Sequence, residues 1–293
     1  MTAEISSRSA IASPSQELWP YPTAFAGVDS MSIAFSDVGR GAPVVFVHTG
    51  FWSFVWRDVV ERMRGEYRCI CVDAPGTGRS ASVPVELARL DRSARAIVGV
   101  IDQLDLSGVT LVMHDLGGVA GLAAAARRSS RIARLVAINS FAWKPEGALR
   151  TMLALMGSRV MTGFDVLTKL VPRITATGFG VGRHWDPALR DAARKSLDGR
   201  ALRVFHRYMG DARRADRLYE EIDAALRGPL GRLPLLTIFG ERNDPFHFQA
   251  GWKQRFPDAW QVVVPGGNHF PMCDDPDLVA RTLDAFYRAS FEA

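Results

Sequence analysis

The chain has 293 residues, 47% hydrophobic and 23% charged, with a formal net charge of +5. That length suits one core domain with an insertion, and the composition is that of an ordinary soluble globular protein. No apolar run approaches the roughly 20 residues of a membrane span, and the arginines are scattered, as in RSSRIAR and DARRADR, rather than massed as a nucleic-acid footprint.

The N-terminal stretch MTAEISSRSAIASPSQ is polar and Ser-rich, without the apolar h-region of a secretory signal. A disordered lead-in over residues 1–17 and a cytoplasmic location are therefore expected. MSIAFSD alternates as a strand does and ends in the turn VGRGAP. PVVFVH and YRCICVD are short apolar runs rich in β-branched residues, and FVWRDVVERMRG between them has helical spacing. ARLDRSARAIVGVIDQLDLSG reads as a helix closed by Gly108. VTLVMH predicts a strand, LGGVAGLAAAARRSS a helix and IARLVAINS a strand. From about Trp143 to Gly228 the pattern is helical throughout: GALRTMLALMGSRVM, FDVLTKLV, then a long run from Arg200 to Leu226. Alternation resumes with the strand LPLLTIFG, the helix FHFQAGWKQRF, the strand AWQVVVP and a final helix PDLVARTLDAFYRAS.

Strand–helix alternation predicts an α/β fold with a mainly parallel, doubly wound sheet. The helical stretch is too long for a loop. It is expected to form a cap, residues 143–228, on a core built from residues 18–142 and 229–293. Ligands of such sheets bind beyond the carboxyl ends of the strands, where a cap would enclose them. Cys69 and Cys71 alternate along one strand and cannot easily bridge each other. Cys273 stands alone, as in a reducing compartment. No Cys/His cluster has zinc spacing, and GTGRS lacks the spacing of a phosphate loop, so neither metal nor cofactor is expected.

Three chemistry-bearing residues follow predicted strands. Asp115 follows VTLVMH, Asp244 follows LPLLTIFGERN, and His269 follows AWQVVVPGGN. In a parallel sheet they project from one edge, in the order nucleophile, acid, histidine. Each also has a plainer reading. Asp115 can be a helix cap, Asp244 a turn residue before Pro245, and His269 a surface or core histidine. Asp274 and Asp275 compete with Asp244 but precede Pro276 as helix-start residues. Asp73, before APGTGRS, reads as a structural Asx-turn residue. A carboxylate attacking an ester would yield an anhydride. Attack on an sp3 carbon bearing a leaving group instead gives a stable alkyl ester. His269 would then activate water against that ester, with Asp244 orienting the imidazole. The tetrahedral intermediate needs amide donors, expected from Leu116 and from Gly50 or Phe51 in the HTGF turn.

The stretches YRCICVDAPGTGRS, VMHDLGG, IFGERNDP and GGNHFPMCDDPDLVA together resemble the haloalkane dehalogenase group of the α/β-hydrolase superfamily, near a subfamily that includes β-lactone decarboxylases. The resemblance runs from about residue 18 to the C-terminus, and the cap is its least distinctive part. It implies the α/β-hydrolase fold, with Asp115 as nucleophile, His269 as base and Asp244 as acid. Some relatives carry the acid after the earlier strand, where this chain has Asn139, which favours Asp244. Two departures stand out. The group usually has HDWG, whose indole N–H holds the departing halide, where this chain has Leu116. It also usually has HGNPTWSF or similar, whose Asn is a second halide donor, where this chain has HTGFWSF. One such donor is worth about 3 kcal/mol in a transition state. Trp52, Trp143 or Trp185 could supply a replacement N–H, or serve only in packing.

Epoxide hydrolases share the Asp nucleophile but use two cap tyrosines. Here Tyr208 and Tyr219 would lie about 16 Å apart on one continuous helix, too far to grip one oxygen together. One tyrosine, or His206, would have to act alone. Fluoroacetate dehalogenases place an Arg after the nucleophile, unlike Leu116. A β-lactone carries its own leaving carboxylate and needs no halide cradle. A cofactor-independent enzyme on a small apolar substrate is expected, with Trp52, Trp143, His206 and Tyr208 as pocket candidates. Binding of nucleic acid or insertion into a membrane is not. A non-catalytic ligand-binding homologue is the alternative of another class.

Overall fold

A computed structural model describes residues 19–50, 52–181 and 184–290. The lead-in expected over residues 1–17 and the donor expected at Phe51 lie outside the described residues. Eight strands form one sheet: β1 (Ala24–Val28), β2 (Met31–Val38), β3 (Ala42–His48), β4 (Tyr67–Asp73), β5 (Val109–Asp115), β6 (Ile132–Ser140), β7 (Leu235–Gly240) and β8 (Trp260–Val264). Their spatial order is β1-β2-β4-β3-β5-β6-β7-β8. β1 pairs antiparallel with β2 and β2 with β4, and every other pairing is parallel.

The helices are α1 (Arg57–Met63), α2 (Leu90–Gln103), α3 (Gly117–Arg127), α4 (Gly147–Met156), α5 (Arg159–Thr168), α6 (Leu170–Thr175), α7 (Pro187–Ser196), α8 (Gly199–Ala212), α9 (Asp216–Leu226), α10 (Phe248–Arg255), α11 (Pro271–Asp274) and α12 (Pro276–Ala289). Alternate strand residues enter opposite layers, as the period of two requires. Val45, Val47, Leu111 and Met113 join the core that contains Ala94, Ile97 and Val119 of α2 and α3. Val44, Phe46 and Val112 join the core that contains Val59 of α1 and Leu283 of α12. Both faces are covered, which is why the central strands read as unbroken apolar runs. Among the described residues no helix is long and apolar enough to cross a membrane.

Helices α4 to α9 all lie between β6 and β7. Three helical boundaries differ from expectation. The run from Arg200 to Leu226 is two helices, broken between Ala212 and Asp216. The helix expected to reach Gly108 stops at Gln103. Asp105 (φ +46°) takes the left-handed turn, and Gly108 (φ +65°) instead starts the chain into β5. GALRTMLALMGSRVM is likewise split into α4 and α5 around Gly157. There a Cβ would lie 2.3 Å from the Gly210 Cα, so the connection crosses directly against α8. Strand β1 gave no sequence signal: AFAGV is an edge segment in which only Ala26 is buried.

Candidate active site

Strand β5 delivers Asp115 at its carboxyl end, and α3 begins two residues later. Asp115 has φ +53°, in the left-handed region that costs an ordinary side chain energy but that Asp and Asn tolerate best. The pairing of β5 with β6 shifts register between His114 and Asp115, and the Ser140 hydroxyl donates to the Asp115 carbonyl at 2.6 Å. The two glycines that follow are required by close approach. A Cβ on Gly117 would lie 2.9 Å from the Val47 carbonyl oxygen, and one on Gly118 would lie 2.6 Å from that of Phe141. The turn therefore holds Asp115 out at the sheet edge while α3 stays tight against β3 and β6.

Burial pushes the Asp115 carboxyl above its ordinary range, against the opposing pull of His269 and of a hydrogen bond from the Leu116 N–H. Burial likewise lowers His269, partly offset by the charges of Asp115 and Asp274. The two residues thus sense each other directly. His269 stands on the loop between β8 and α11. Its carbonyl accepts from His114 Nε2 at 2.7 Å, and the two rings are 4.9 Å apart. The His48 ring continues the row, 4.7 Å from His114. Burial drives His48 down to about 3 and His114 well below its ordinary value, so this row is neutral. The loop is pinned further by the Asn268 N–H, which donates to Asp274 at 2.6 Å, and by the Asn268 amide, which donates to the Gly178 carbonyl at 2.7 Å.

Asp244, expected to orient His269, is engaged elsewhere. Its two carboxylate oxygens accept the Phe248 N–H at 2.7 Å and the Gln249 N–H at 3.0 Å, so it caps α10. The side chain that meets His269 is its neighbour Asn243, whose Oδ1 lies 3.0 Å from His269 Nδ1. A search restricted to carboxylates passes over an amide. The signal available was that Asp244 opens the helical stretch FHFQAGWKQRF, the usual place of a cap.

The expected donor at Gly50 is also redirected. Its N–H points back onto His48 Nδ1 at 3.2 Å. The Phe205 ring from α8 roofs this turn, 3.0 Å from where a Gly50 Cβ would stand. Leu116 keeps its place beside Asp115, with a fully buried side chain.

The four pocket candidates serve as scaffold. His206 is sealed inside the cap: Nε2 meets Asp165 at 2.9 Å and Nδ1 meets the Met156 carbonyl at 2.6 Å. Tyr208 is fully buried, with its hydroxyl 2.8 Å from the Pro75 carbonyl and 2.9 Å from the Ser93 hydroxyl, and so ties α8 to the core. Trp52 stacks on Phe54 at 5.2 Å and carries the Arg79 guanidinium 5.4 Å from its ring centroid. Trp143 packs edge-on against Trp252 and carries the Arg255 guanidinium 4.1 Å from its ring centroid. Trp185 donates its indole N–H to Asp58 at 3.0 Å. The Tyr219 hydroxyl donates to the Ala212 carbonyl at 2.9 Å. Asp73 is wholly buried and accepts from the Ser53 N–H and hydroxyl and from the Arg79 N–H and guanidinium, a structural knot under the turn. Cys69, Cys71 and Cys273 are buried free thiols. Among the described residues no group of three His, Cys, Asp or Glu side chains could hold a metal ion.

The sequence and the fold are similar to those of known proteins. A model described as an alpha/beta hydrolase family matches residues 44–282. Haloalkane dehalogenase 2 of Mycobacterium tuberculosis is 26% identical over 287 residues, covering 92% of this chain and 96% of that protein. A cis-3-alkyl-4-alkyloxetan-2-one decarboxylase of Shewanella oneidensis is 27% identical over 289 residues, covering 92% of this chain and 89% of the other. The solved structure of a haloalkane dehalogenase from Bradyrhizobium elkani has a TM-score of 0.76 at 17% identity, covering 92% of this chain and 99% of that one.

Proposed function

Since the chain belongs to the alpha/beta hydrolase family, we propose that it is a cofactor-independent enzyme whose nucleophile is Asp115 and whose base is His269. One carboxylate oxygen attacks an electrophilic sp3 carbon. The carbon–leaving-group bond breaks, the leaving group departs with the electron pair, and an alkyl ester remains on Asp115. His269 then takes a proton from water, and the hydroxide attacks the ester carbonyl carbon. The alkoxide leaves, collects that proton from His269 and departs as an alcohol, and the carboxylic acid left on Asp115 releases its own proton to solvent, which restores the carboxylate. The observation that carries this reading is the carboxylate itself: it stands on a left-handed strand-to-helix turn, beside the Leu116 N–H and within the field of His269.

The side-chain donors already committed elsewhere narrow the leaving group. Leu116 offers no side-chain donor, and the Trp185 N–H is committed to Asp58. An epoxide oxygen would need a proton donor, but the Tyr208 and Tyr219 hydroxyls are both committed to backbone carbonyls. These engagements favour a leaving group that carries its own stabilisation, such as the carboxylate released when a β-lactone ring opens at its sp3 carbon. The homology to an oxetanone decarboxylase points the same way.

The test is to incubate His269→Phe protein with a bromoalkane, an epoxide and a β-lactone, quench in acid and weigh the intact protein. The expected result is a one-equivalent adduct on the peptide carrying Asp115, formed with the lactone in preference to the bromoalkane. No adduct with any of the three would mean a ligand-binding homologue without turnover.

The pH dependence has a definite sign. Attack needs ionised Asp115, whose pKa is raised, and hydrolysis needs neutral His269, whose pKa is lowered. Both forms are lost on acidification, the Asp115 carboxylate at a higher pH than an ordinary carboxylate would be. Adduct formation in a rapid-quench series should fall on the acid side and rise to a plateau as the pH increases, with a midpoint above the ordinary carboxylate range. His269→Phe should retain that acid limb, because the first step needs only Asp115. Loss of adduct formation on the alkaline side alone would contradict this assignment.

A further inference from the structure

The hydrogen bonds around His269 form a chain whose atoms can be assigned one after another. It starts from a backbone group with no ambiguity: the Gly240 N–H donates to Asn139 at 2.8 Å, so the receiving atom must be the amide oxygen. The Asn139 nitrogen then faces the other way. It lies 3.0 Å from the Asn243 carbonyl, 3.1 Å from Asn243 Oδ1 and 3.2 Å from the Asn268 carbonyl, three acceptors for one NH2 group. A donor cannot face a donor, so the atom that Asn243 turns toward Asn139 must be its oxygen. That same oxygen lies 3.0 Å from His269 Nδ1. A neutral imidazole nitrogen facing an oxygen that has no hydrogen must carry the proton itself.

From this geometry we infer that Asn139 and Asn243 act as positioning residues, setting the His269 tautomer without a carboxylate. Nδ1 carries the hydrogen, and Nε2 is left unprotonated to act as the base. Asn139 sits at φ +37° on the end of β6, beside the strand that carries Asp115, which places its amide between β7 and the His269 loop. An amide can fix a tautomer as well as a carboxylate can, but it cannot neutralise the imidazolium that forms when His269 takes a proton. The first chemical step is untouched by this. The second, hydrolytic step has no carboxylate bonded to the imidazole and keeps only the charge of Asp274 to offset its burial, so an ester on Asp115 should live longer in the wild type than in Asn243→Asp. The inference rests on reading His269 as the base, but its primary readout needs no substrate.

The experiment is nitrogen NMR of protein labelled with 15N-histidine. The chain has six histidines, and the His269 signals are those missing from His269→Gln. In the wild type, His269 is expected as the Nδ1–H tautomer, staying neutral to below the ordinary histidine midpoint. Asn243→Asp should raise the His269 midpoint by about one unit or more, since an adjacent opposite charge favours the protonated ring. Asp244→Asn, which keeps an acceptor for the α10 amides, should leave that midpoint unchanged. Asn139→Gly, which tolerates φ +37° and removes the amide, should release the Asn243 amide to flip, so that the Nε2–H tautomer gains population. An Nε2–H tautomer in the wild type would overturn the proposal. So would a midpoint that follows Asp244→Asn rather than Asn243→Asp, or a tautomer population unmoved by Asn139→Gly. Should the NMR agree while no substrate ever alkylates Asp115, the proposed reaction fails and the positioning chain stands.

Discussion

Asp115→Asn is expected to lower turnover by about 10⁴-fold or more and, in the same protein, to raise the melting temperature. The loss follows from removing the attacking atom, since enzymes that lose a covalent nucleophile fall by roughly that factor. The gain in stability has a separate cause. The Asp115 carboxyl titrates above its ordinary range because its partial burial at the sheet edge disfavours the charged form. A folded-state pKa above the unfolded value means that the folded protein favours the protonated form, so the ionised form weakens the fold at neutral pH. That weakening is complete above the raised pKa and vanishes as the pH falls below the unfolded value. Asparagine has no charge to bury and tolerates φ +53° as well as aspartate does. The expected result is a higher melting temperature, by about 2–4 °C for each kcal/mol gained in a chain of this size. Calorimetry at neutral and acidic pH checks it: the gap between variant and wild type should narrow as the solution is acidified. A variant that melts lower than the wild type at neutral pH would contradict the idea that this carboxylate is held at a cost.

Asp165→Ala should be the most destabilising single change in helices α4 to α9, by about 2–5 kcal/mol. Asp165 is almost wholly buried and accepts two hydrogen bonds, from His206 Nε2 at 2.9 Å and from the Val171 N–H at 2.9 Å. Alanine strands both donors in the interior, at roughly 1–3 kcal/mol each. His206 also holds the Met156 carbonyl at the end of α4, so one carboxylate ties α4, α5, α6 and α8 together. Chemical denaturation of Asp165→Ala against wild type measures the loss. A change below 1 kcal/mol would show that the cap does not depend on this pair.

The sequence showed the core readily because parallel strands buried on both faces must be written in apolar residues. PVVFVH, YRCICVD, VTLVMH and IARLVAINS each became a strand within a residue or two of the expected ends. AFAGV did not announce itself, because an edge strand with one buried side chain carries no pattern. Positions Asp115 and His269 were legible from their place after strand ends. The partner of His269 was not. Asp244 and Asn243 are neighbours in the chain, and only the turn into α10 decides which faces the imidazole and which caps the helix. The candidates in the cap were misread for a related reason. An aromatic or a histidine between helices gives the same sequence signal whether it faces a ligand or a buried partner. Here His206 and Tyr208 found buried partners.

The left-handed backbone at Asp115 and at Asn139 has an evolutionary consequence. These two positions end adjacent strands, β5 and β6, with φ +53° and +37°. Few side chains tolerate such angles, and aspartate and asparagine are foremost among those that do. The backbone thus restricts each position to a narrow alphabet, and within it the exchange of one oxygen for one nitrogen leaves the chain path alone. At Asp115 that exchange removes the charge and the proposed nucleophile together. At Asn139 it would turn a carboxylate onto three acceptors, the Asn243 and Asn268 carbonyls and Asn243 Oδ1, so the hydrogen bonds oppose there a change that the backbone itself permits.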